Sequence, residues 1–155
     1  MSLLAALVLQ AASSGRQSLG VWERWGAFRD AAPHRCYAIA EPLGPRRATR
    51  AFASIATWPS DSARGQFHIR LSRSRAAYAR VTLTVGERRF TLIAGATDAW
   101  APDTSTDIAV VAAIRGSRSM TLETLAASGA PFVDAYALPG AATAIDAAAV
   151  GCAGR

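Results

Sequence analysis

The chain has 155 residues, of which 51% are hydrophobic and 18% are charged, and its formal net charge is +6. This length and composition exclude an intrinsically disordered chain and predict one domain with a sizeable core. The 17 positively charged residues are all arginines. The basic balance is compatible with a negatively charged partner, such as nucleic acid, anionic lipid or acidic polysaccharide.

The N-terminus has the pattern of a short secretory signal. Residues 2–9 form an apolar run that is too short to span a bilayer as a helix, and small residues suited to signal-peptidase cleavage follow up to Ser14. The sequence therefore predicts a signal peptide over 1–14, a flexible leader over 15–20 and a single folded domain over 21–155. Because no basic residue precedes the apolar run, an ordinary N-terminal helix is the alternative.

Most of the domain shows the side-chain patterns of β-strands. The clearest case is 78–93, where valine and leucine alternate with threonine over 81–85, and Gly86 followed by Glu87 fits a two-residue type II′ turn. Six further segments have alternating or β-branched and aromatic residues bounded by turn residues. These segments are 21–28, 35–40, 51–58, 66–71, 119–125 and 131–138.

Two short helices complete the predicted fold. Asp103 stands at the N-cap position of the first, 104–115, in which several side chains recur at helical spacing. The recurring residues are Ile108, Val111, Ala112 and Arg115. The second helix, 141–150, begins after Gly140. Its apolar face carries Ala141, Ile145, Ala148 and, beyond its end, Cys152. The sequence thus predicts a mainly β, antiparallel, sandwich-like single domain with two short α-helices.

Cysteine usage allows two interpretations. Cys36 and Cys152 are the only cysteines, and no CxxC motif or Cys/His cluster occurs in the sequence, which argues against a zinc site. One widely separated pair suits a single disulfide if the protein is exported. It suits two buried thiols if the protein is not exported.

Five short motifs and their order along the chain carry a resemblance to a known family. The motifs are 25–28 (WGAF), 35–42 (RCYAIAEP), 99–100 (AW), 110–116 (VVAAIRG) and 134–140 (DAYALPG). The last motif runs into a short helix that ends at Cys152. Together they resemble the invasion-associated locus B family of alphaproteobacterial envelope proteins. The resemblance covers nearly the whole chain after the predicted signal.

The resemblance implies a secreted or periplasmic protein with a β-sandwich-like fold. It supplies no catalytic residues. Together with the predicted export, it favours a disulfide between Cys36 and Cys152, which would tie an early strand to the end of the last helix. The function that we predict on this basis is a non-enzymatic envelope protein that binds a partner or a surface, with no cofactor and no transmembrane anchor.

Residues suited to catalysis are sparse. The only histidines are His34, in a loop, and His68, on the outward face of a strand, and no nucleophile elbow, phosphate loop or HExxH motif is present. A hydrolase that uses carboxylates alone is the remaining enzymatic hypothesis. Its nearest candidates are Asp98, Asp103 and Asp107, although Asp103 is also explained as a helix cap and Asp107 as a first-turn acid.

The four tryptophans divide into core and surface candidates. Trp25 and Trp100 are predicted to lie in the core, where tryptophan is a frequent anchor. Trp22 and Trp58 could face either side of their strands, and they are the candidates for stacking on a ligand. An alternative function is therefore a carbohydrate or small-ligand binding module.

Arginines cluster in the sequence around the 78–93 hairpin. The candidates for contact with an anionic surface are Arg70, Arg73, Arg75, Arg88 and Arg89. Such a patch would suit anionic lipid or polysaccharide. Nucleic acid is disfavoured, because no aromatic residues for base stacking are interleaved with the arginines. A solvated basic face without a ligand is the alternative.

Overall fold

The computed structural model describes residues 15–153, over which it has ten β-strands and two α-helices. The signal peptide predicted for 1–14 lies outside the described residues. The strands are β1 (Arg16–Trp22), β2 (Trp25–Ala31), β3 (His34–Ala40), β4 (Phe52–Trp58), β5 (Ala63–Arg70), β6 (Val81–Val85), β7 (Arg88–Ala94), β8 (Asp98–Trp100), β9 (Ser119–Leu125) and β10 (Pro131–Ala137). The helices are α1 (Thr104–Arg115) and α2 (Ala141–Gly151).

The predicted fold class is confirmed: the protein is mainly antiparallel β with two helices. The strands form one sheet in the order β1-β2-β3-β4-β5-β8-β7-β6-β9-β10. The sandwich arrangement itself is not confirmed, because all ten strands are hydrogen-bonded into this single sheet. The two halves of the sheet meet at the short β7–β8 pairing, where Ile93 is opposite Trp100 and Ala94 is opposite Ala99.

The sheet folds back on itself, so that β10 contacts the other half. Trp25 Nε1, at the start of β2, donates a hydrogen bond of 2.9 Å to the carbonyl oxygen of Ala137. Leu43 N donates to the carbonyl oxygen of Ala135 at 2.7 Å. These links enclose one core, whose largest fully buried side chains include Trp25 and Tyr136.

The hairpin formed by β6 and β7 has the predicted turn position. Val85 is paired with Arg88, and Gly86 between them has a φ of 58°. This left-handed backbone conformation favours glycine, as a primed hairpin turn requires. The strands predicted elsewhere also match β3, β4, β5, β9 and β10 to within a few residues.

The N-terminal segment differs from its prediction. Residues 16–22 form β1, so the prediction of a flexible leader over 15–20 is wrong. The strand predicted over 21–28 is instead broken by a turn, in which Glu23 has a φ of 54°. All seven residues of β1 are exposed or half-buried, so the segment has no apolar alternation to reveal it. It is held mainly by backbone pairing with β2.

Both helices occur where they were predicted. Asp103 caps α1 through its side chain, which accepts a hydrogen bond of 2.7 Å from Thr106 N. The predicted apolar face of α2 is buried, including Ile145 and Ala148. The buried residues of α1 are Val110, Ala113 and Ile114. They are not the residues that recur at helical spacing in the sequence. Neither helix has the length and apolarity needed to cross a membrane.

Candidate functional site

A groove lies between the two helices and the end of β4. We call it the helix groove, and its volume is about 810 Å³, which is within the usual size range of small-molecule sites. Ile108, Val111 and Ala112 line it from α1, and Ile145, Ala148 and Ala149 line it from α2. The remaining apolar lining includes Ile55, Trp58, Pro59, Cys152 and Ala153.

Both helices line the groove with short side chains as well as large ones. Ala112 on α1 and Ala149 on α2 are both exposed and do not fill the space between the helices. Ile108 keeps 66% of its surface accessible, although it is a large aliphatic residue. The face of α1 that the sequence spacing singled out is therefore the groove wall and is not part of the core. An exposed apolar wall of this kind is typical of a binding surface.

Two contacts fix α1 beside the groove. The Asp107 carboxylate accepts a hydrogen bond of 2.8 Å from the backbone N–H of Phe67 on β5. Burial raises the pKa of Asp107, although this hydrogen bond opposes the effect. At the other end of the helix, Arg115 forms a salt bridge of 2.7 Å with Asp146 of α2. The spacing of the groove walls is thus set by polar anchors outside its apolar surface.

The charged residues that line the helix groove are both arginines. They are Arg64, near the start of β5, and Arg115, on α1, and no aspartate or glutamate is among the described lining residues. Arg115 is partly neutralised by Asp146. The combination of an apolar interior with basic rim residues suits a ligand that has an apolar portion and a negatively charged group.

The two tryptophans predicted to stack on a ligand lie in different places. Trp58 lines the helix groove. Its Nε1 donates to Gln66 Oε1 at 3.1 Å, and the Arg35 guanidinium lies 5.2 Å from the centre of its ring. Trp22 is half-buried against the core and is not among the lining residues of the groove. The structure therefore separates the pair and places only Trp58 at the candidate site.

The tryptophans predicted to be in the core are not alike either. Trp25 is fully buried, as predicted. Trp100 is only half-buried, and its ring stacks on that of His68 with a centroid distance of 5.1 Å. His68 Nε2 lies 2.7 Å from Asp98 Oδ1. The outward-facing histidine is thus held by an aromatic stack and a carboxylate.

The three aspartates of the hydrolase hypothesis each have a structural contact. Burial by itself raises the pKa of Asp98, but hydrogen bonds from Thr97 and His68, together with the positive charge of Arg70, outweigh it, and the pKa lies below its usual value. The hydrogen bonds from Thr106 lower the pKa of Asp103, as expected for a helix-capping carboxylate. Asp107 anchors α1 to β5.

The predicted arginine patch is divided by the fold. Arg70 lies over the ring of Phe52 and 3.4 Å from Asp98, and Arg88 lies over the ring of Phe90. Arg89 is exposed on β7. Arg73 is also exposed, but it belongs to a separate pocket of about 250 Å³ beside the loop that follows β3. The other arginines of that pocket are Arg46, Arg47 and Arg50.

Arg75 has a structural role, which the sequence prediction missed. Its guanidinium donates to five backbone carbonyl oxygens, those of Ala76, Ala77, Ala79, Ala94 and Gly95. These bonds connect the loop before β6 to the end of β7. A guanidinium used in this way has few donors left for an anionic surface.

Replacing Arg75 with methionine is therefore expected to lower the free energy of unfolding by about 2 kcal/mol, because several carbonyl oxygens lose a charged donor. Urea denaturation would measure the change. Arg73→Met is the matched control, since Arg73 is exposed, and it should leave the stability close to that of the wild type. Equal losses in the two variants would contradict the structural role of Arg75.

The disulfide lies at one end of the helix groove. Cys36 on β3 is bonded to Cys152, which follows the last residue of α2, across a sequence separation of 116. His34 Nε2 lies 3.7 Å from Cys152 Sγ. This contact was not predicted from the sequence, because His34 and Cys152 are far apart in the chain. The His-x-Cys spacing of residues 34–36 on one strand was the available signal.

No protein-family model matches this chain, and no curated protein or solved structure matches it either. The resemblance to the invasion-associated locus B family remains a prediction.

Proposed function

We propose that this chain is an exported, non-enzymatic protein of the cell envelope that binds an anionic amphiphile, such as a fatty acid, in the helix groove. One observation carries the proposal: the groove has an apolar wall, and the charged residues that line it are Arg64 and Arg115. We propose export on the basis of the predicted signal peptide and the family resemblance. The Cys36–Cys152 disulfide supports it, since disulfides persist in oxidising compartments.

The apolar chain of the ligand would cover side chains that are now in contact with water. Ile108 is 66% exposed, and Val111 and Trp58, which also line the groove, are half-buried. Removing apolar surface from water contributes about 25 cal/mol per Å². This gain makes a hydrocarbon chain a better occupant of the groove than a polysaccharide, which has few apolar groups to bury.

The charged group of the ligand would pair with the arginines at the rim. Arg64 is exposed and makes no salt bridge within residues 15–153. A guanidinium binds a carboxylate or phosphate through two parallel hydrogen bonds. The net charge of +6 also favours the approach of an anionic ligand.

The proposal is tested by titrating the purified protein with a fluorescent fatty acid. Ala112→Trp places a large ring in the groove and is expected to weaken binding by about tenfold or more, because the ring occupies the volume needed by the chain. Ala127→Trp, at an exposed turn outside the groove, is the matched control and should bind as the wild type does. Melting curves of both variants verify that they are folded.

The contribution of charge is tested with a pair of ligands of equal length. Arg64→Ala should weaken the binding of a fatty acid but leave the binding of the corresponding fatty alcohol unchanged, since the alcohol has no charge to pair. Absence of saturable binding by the wild type, or unaltered binding by Ala112→Trp, would overturn the proposal. Binding of an acidic polysaccharide but not of a fatty acid would favour the pocket that contains Arg46, Arg47, Arg50 and Arg73 as the functional site.

A further inference from the structure

Three potential metal ligands meet beside the helix groove. His34 and Cys36 are two residues apart on β3, so their side chains are on the same face of the strand. Cys152 reaches this face from the end of α2. One ring nitrogen of His34 and the two sulfur atoms all lie within 4.8 Å of one another. In the described part of the chain, they are the one group of this kind among histidine, cysteine and acidic residues.

We propose that reduction of the Cys36–Cys152 disulfide converts this group into a binding site for a thiophilic metal ion, with Zn²⁺ as the reference ion. The ligands would be the two thiolates and Nε2 of His34. Two thiolates, one imidazole and a water molecule form a known type of tetrahedral zinc site. The proposal goes beyond the binding function and does not depend on it.

The distances fit a tetrahedral site. Zinc bonds of about 2.3 Å to sulfur and about 2.0 Å to nitrogen place neighbouring ligand atoms roughly 3.5 to 3.8 Å apart. The observed distance from His34 Nε2 to Cys152 Sγ is 3.7 Å. Once the covalent bond is broken, the two sulfur atoms need to separate to a similar distance. The imidazole therefore already lies at the spacing that the ion would require.

The conversion needs an external dithiol as the reductant. A dithiol thiolate attacks one sulfur of the disulfide, and its second thiol resolves the mixed disulfide. The dithiol loses two electrons and two protons and becomes a disulfide, while Cys36 and Cys152 become thiols. Binding of Zn²⁺ then releases the two thiol protons to solvent. Neutral His34 binds through the lone pair of Nε2 and keeps its proton on Nδ1.

The two sulfur atoms differ in accessibility. Cys36 is 0% exposed, whereas Cys152 is 6% exposed and lines the helix groove. A reductant should therefore attack Cys152 and release the thiolate of Cys36. The groove gives the same route to a metal ion. A ligand bound in the groove would then block the route by which a metal ion reaches the site.

The test compares metal binding by the oxidised and the reduced full-length protein. After reduction and removal of the dithiol without oxygen, Co²⁺ should bind with one equivalent per chain and produce a thiolate-to-cobalt charge-transfer absorption. Zn²⁺ should displace it. The oxidised protein should show no such band. Failure of the reduced wild type to bind one equivalent would overturn the proposal.

Histidine variants separate the site from binding by thiols alone. His34→Ala should weaken Zn²⁺ binding by about 100-fold or more, since loss of even an outer-shell partner costs about 10- to 100-fold. His68→Ala is the matched control, because His68 is not one of the three clustered ligand residues. Its ring stacks on Trp100 and is hydrogen-bonded to Asp98. This variant should leave the affinity unchanged. Equal Zn²⁺ affinity in the wild type and His34→Ala would overturn the role of His34.

A folding measurement covers the case in which the reduced chain unfolds. Saturating Zn²⁺ should raise the melting temperature of the reduced wild type, or restore its native circular dichroism if it has unfolded, because the ion binds the native arrangement of ligands. Reduced His34→Ala should show a much smaller response at the same concentration. No response in the reduced wild type would contradict the proposal.

Discussion

Replacing Cys36 with serine is expected to lower the melting temperature by about 8 to 20 °C. The disulfide to Cys152 closes a loop with a sequence separation of 116. Without this cross-link the unfolded chain regains conformational entropy, which on the chain-entropy model lowers the free energy of unfolding by about 4 to 5 kcal/mol. A protein of this size shifts by roughly 2 to 4 °C for each kcal/mol. Thermal melting with a chelator present measures the effect without any metal contribution.

The partner variant supplies the control for this prediction. Cys152→Ser should destabilise the protein by nearly the same amount as Cys36→Ser, and the double variant should be no less stable than either single variant, since one bond is lost in each case. A dithiol should lower the melting temperature of the wild type and leave those of the variants unchanged. A wild-type melting temperature that is insensitive to the dithiol would contradict the prediction.

Replacing Trp25 with alanine is expected to lower the free energy of unfolding by about 3 to 5 kcal/mol, the usual loss for a buried aromatic ring. Trp25 is fully buried, and its Nε1 donates to the carbonyl oxygen of Ala137. The side chain therefore fills the core and connects β2 with β10, which lie near opposite ends of the strand order. Urea denaturation would measure the loss.

Two further variants separate the ring from its hydrogen bond. Trp25→Phe keeps an aromatic ring but leaves the Ala137 carbonyl oxygen without its donor, and it should cost about 1 to 3 kcal/mol. Trp22→Ala removes a ring that is only half-buried and should cost less than Trp25→Ala. Equal losses for Trp22→Ala and Trp25→Ala would show that Trp25 has no special place in the core.

Features that depend on neighbouring residues were predictable from the sequence. The β6–β7 hairpin follows from strict alternation around Gly86, whose φ of 58° meets the need of the turn. The start of α1 follows from the capping side chain of Asp103. The buried face of α2 follows from the helical spacing of its apolar residues. In each case the determining interactions lie within a few residues along the chain.

The candidate site could be predicted only in part. Trp58 was a candidate and lines the helix groove, whereas Trp22 does not. The wall formed by Ile108 and Val111 was found as a periodic stripe, but periodicity does not tell whether a stripe faces the core or an open groove. Alanines of both α1 and α2 line the groove, and their coming together depends on how the helices pack.

The sequence by itself determined most of the local elements after β1, the β class and the single pair of cysteines that could be joined. Only the tertiary structure decided which side chains became neighbours across the chain. In the fold, the arginines of the predicted patch lie in separate places, the Arg75 guanidinium donates to backbone carbonyl oxygens, and His34 lies beside the disulfide. The physical reason is that local patterns depend on interactions within a few residues. Strand order, the packing of α1 and α2, and the contact of His34 with Cys152 depend on contacts between segments far apart in the chain.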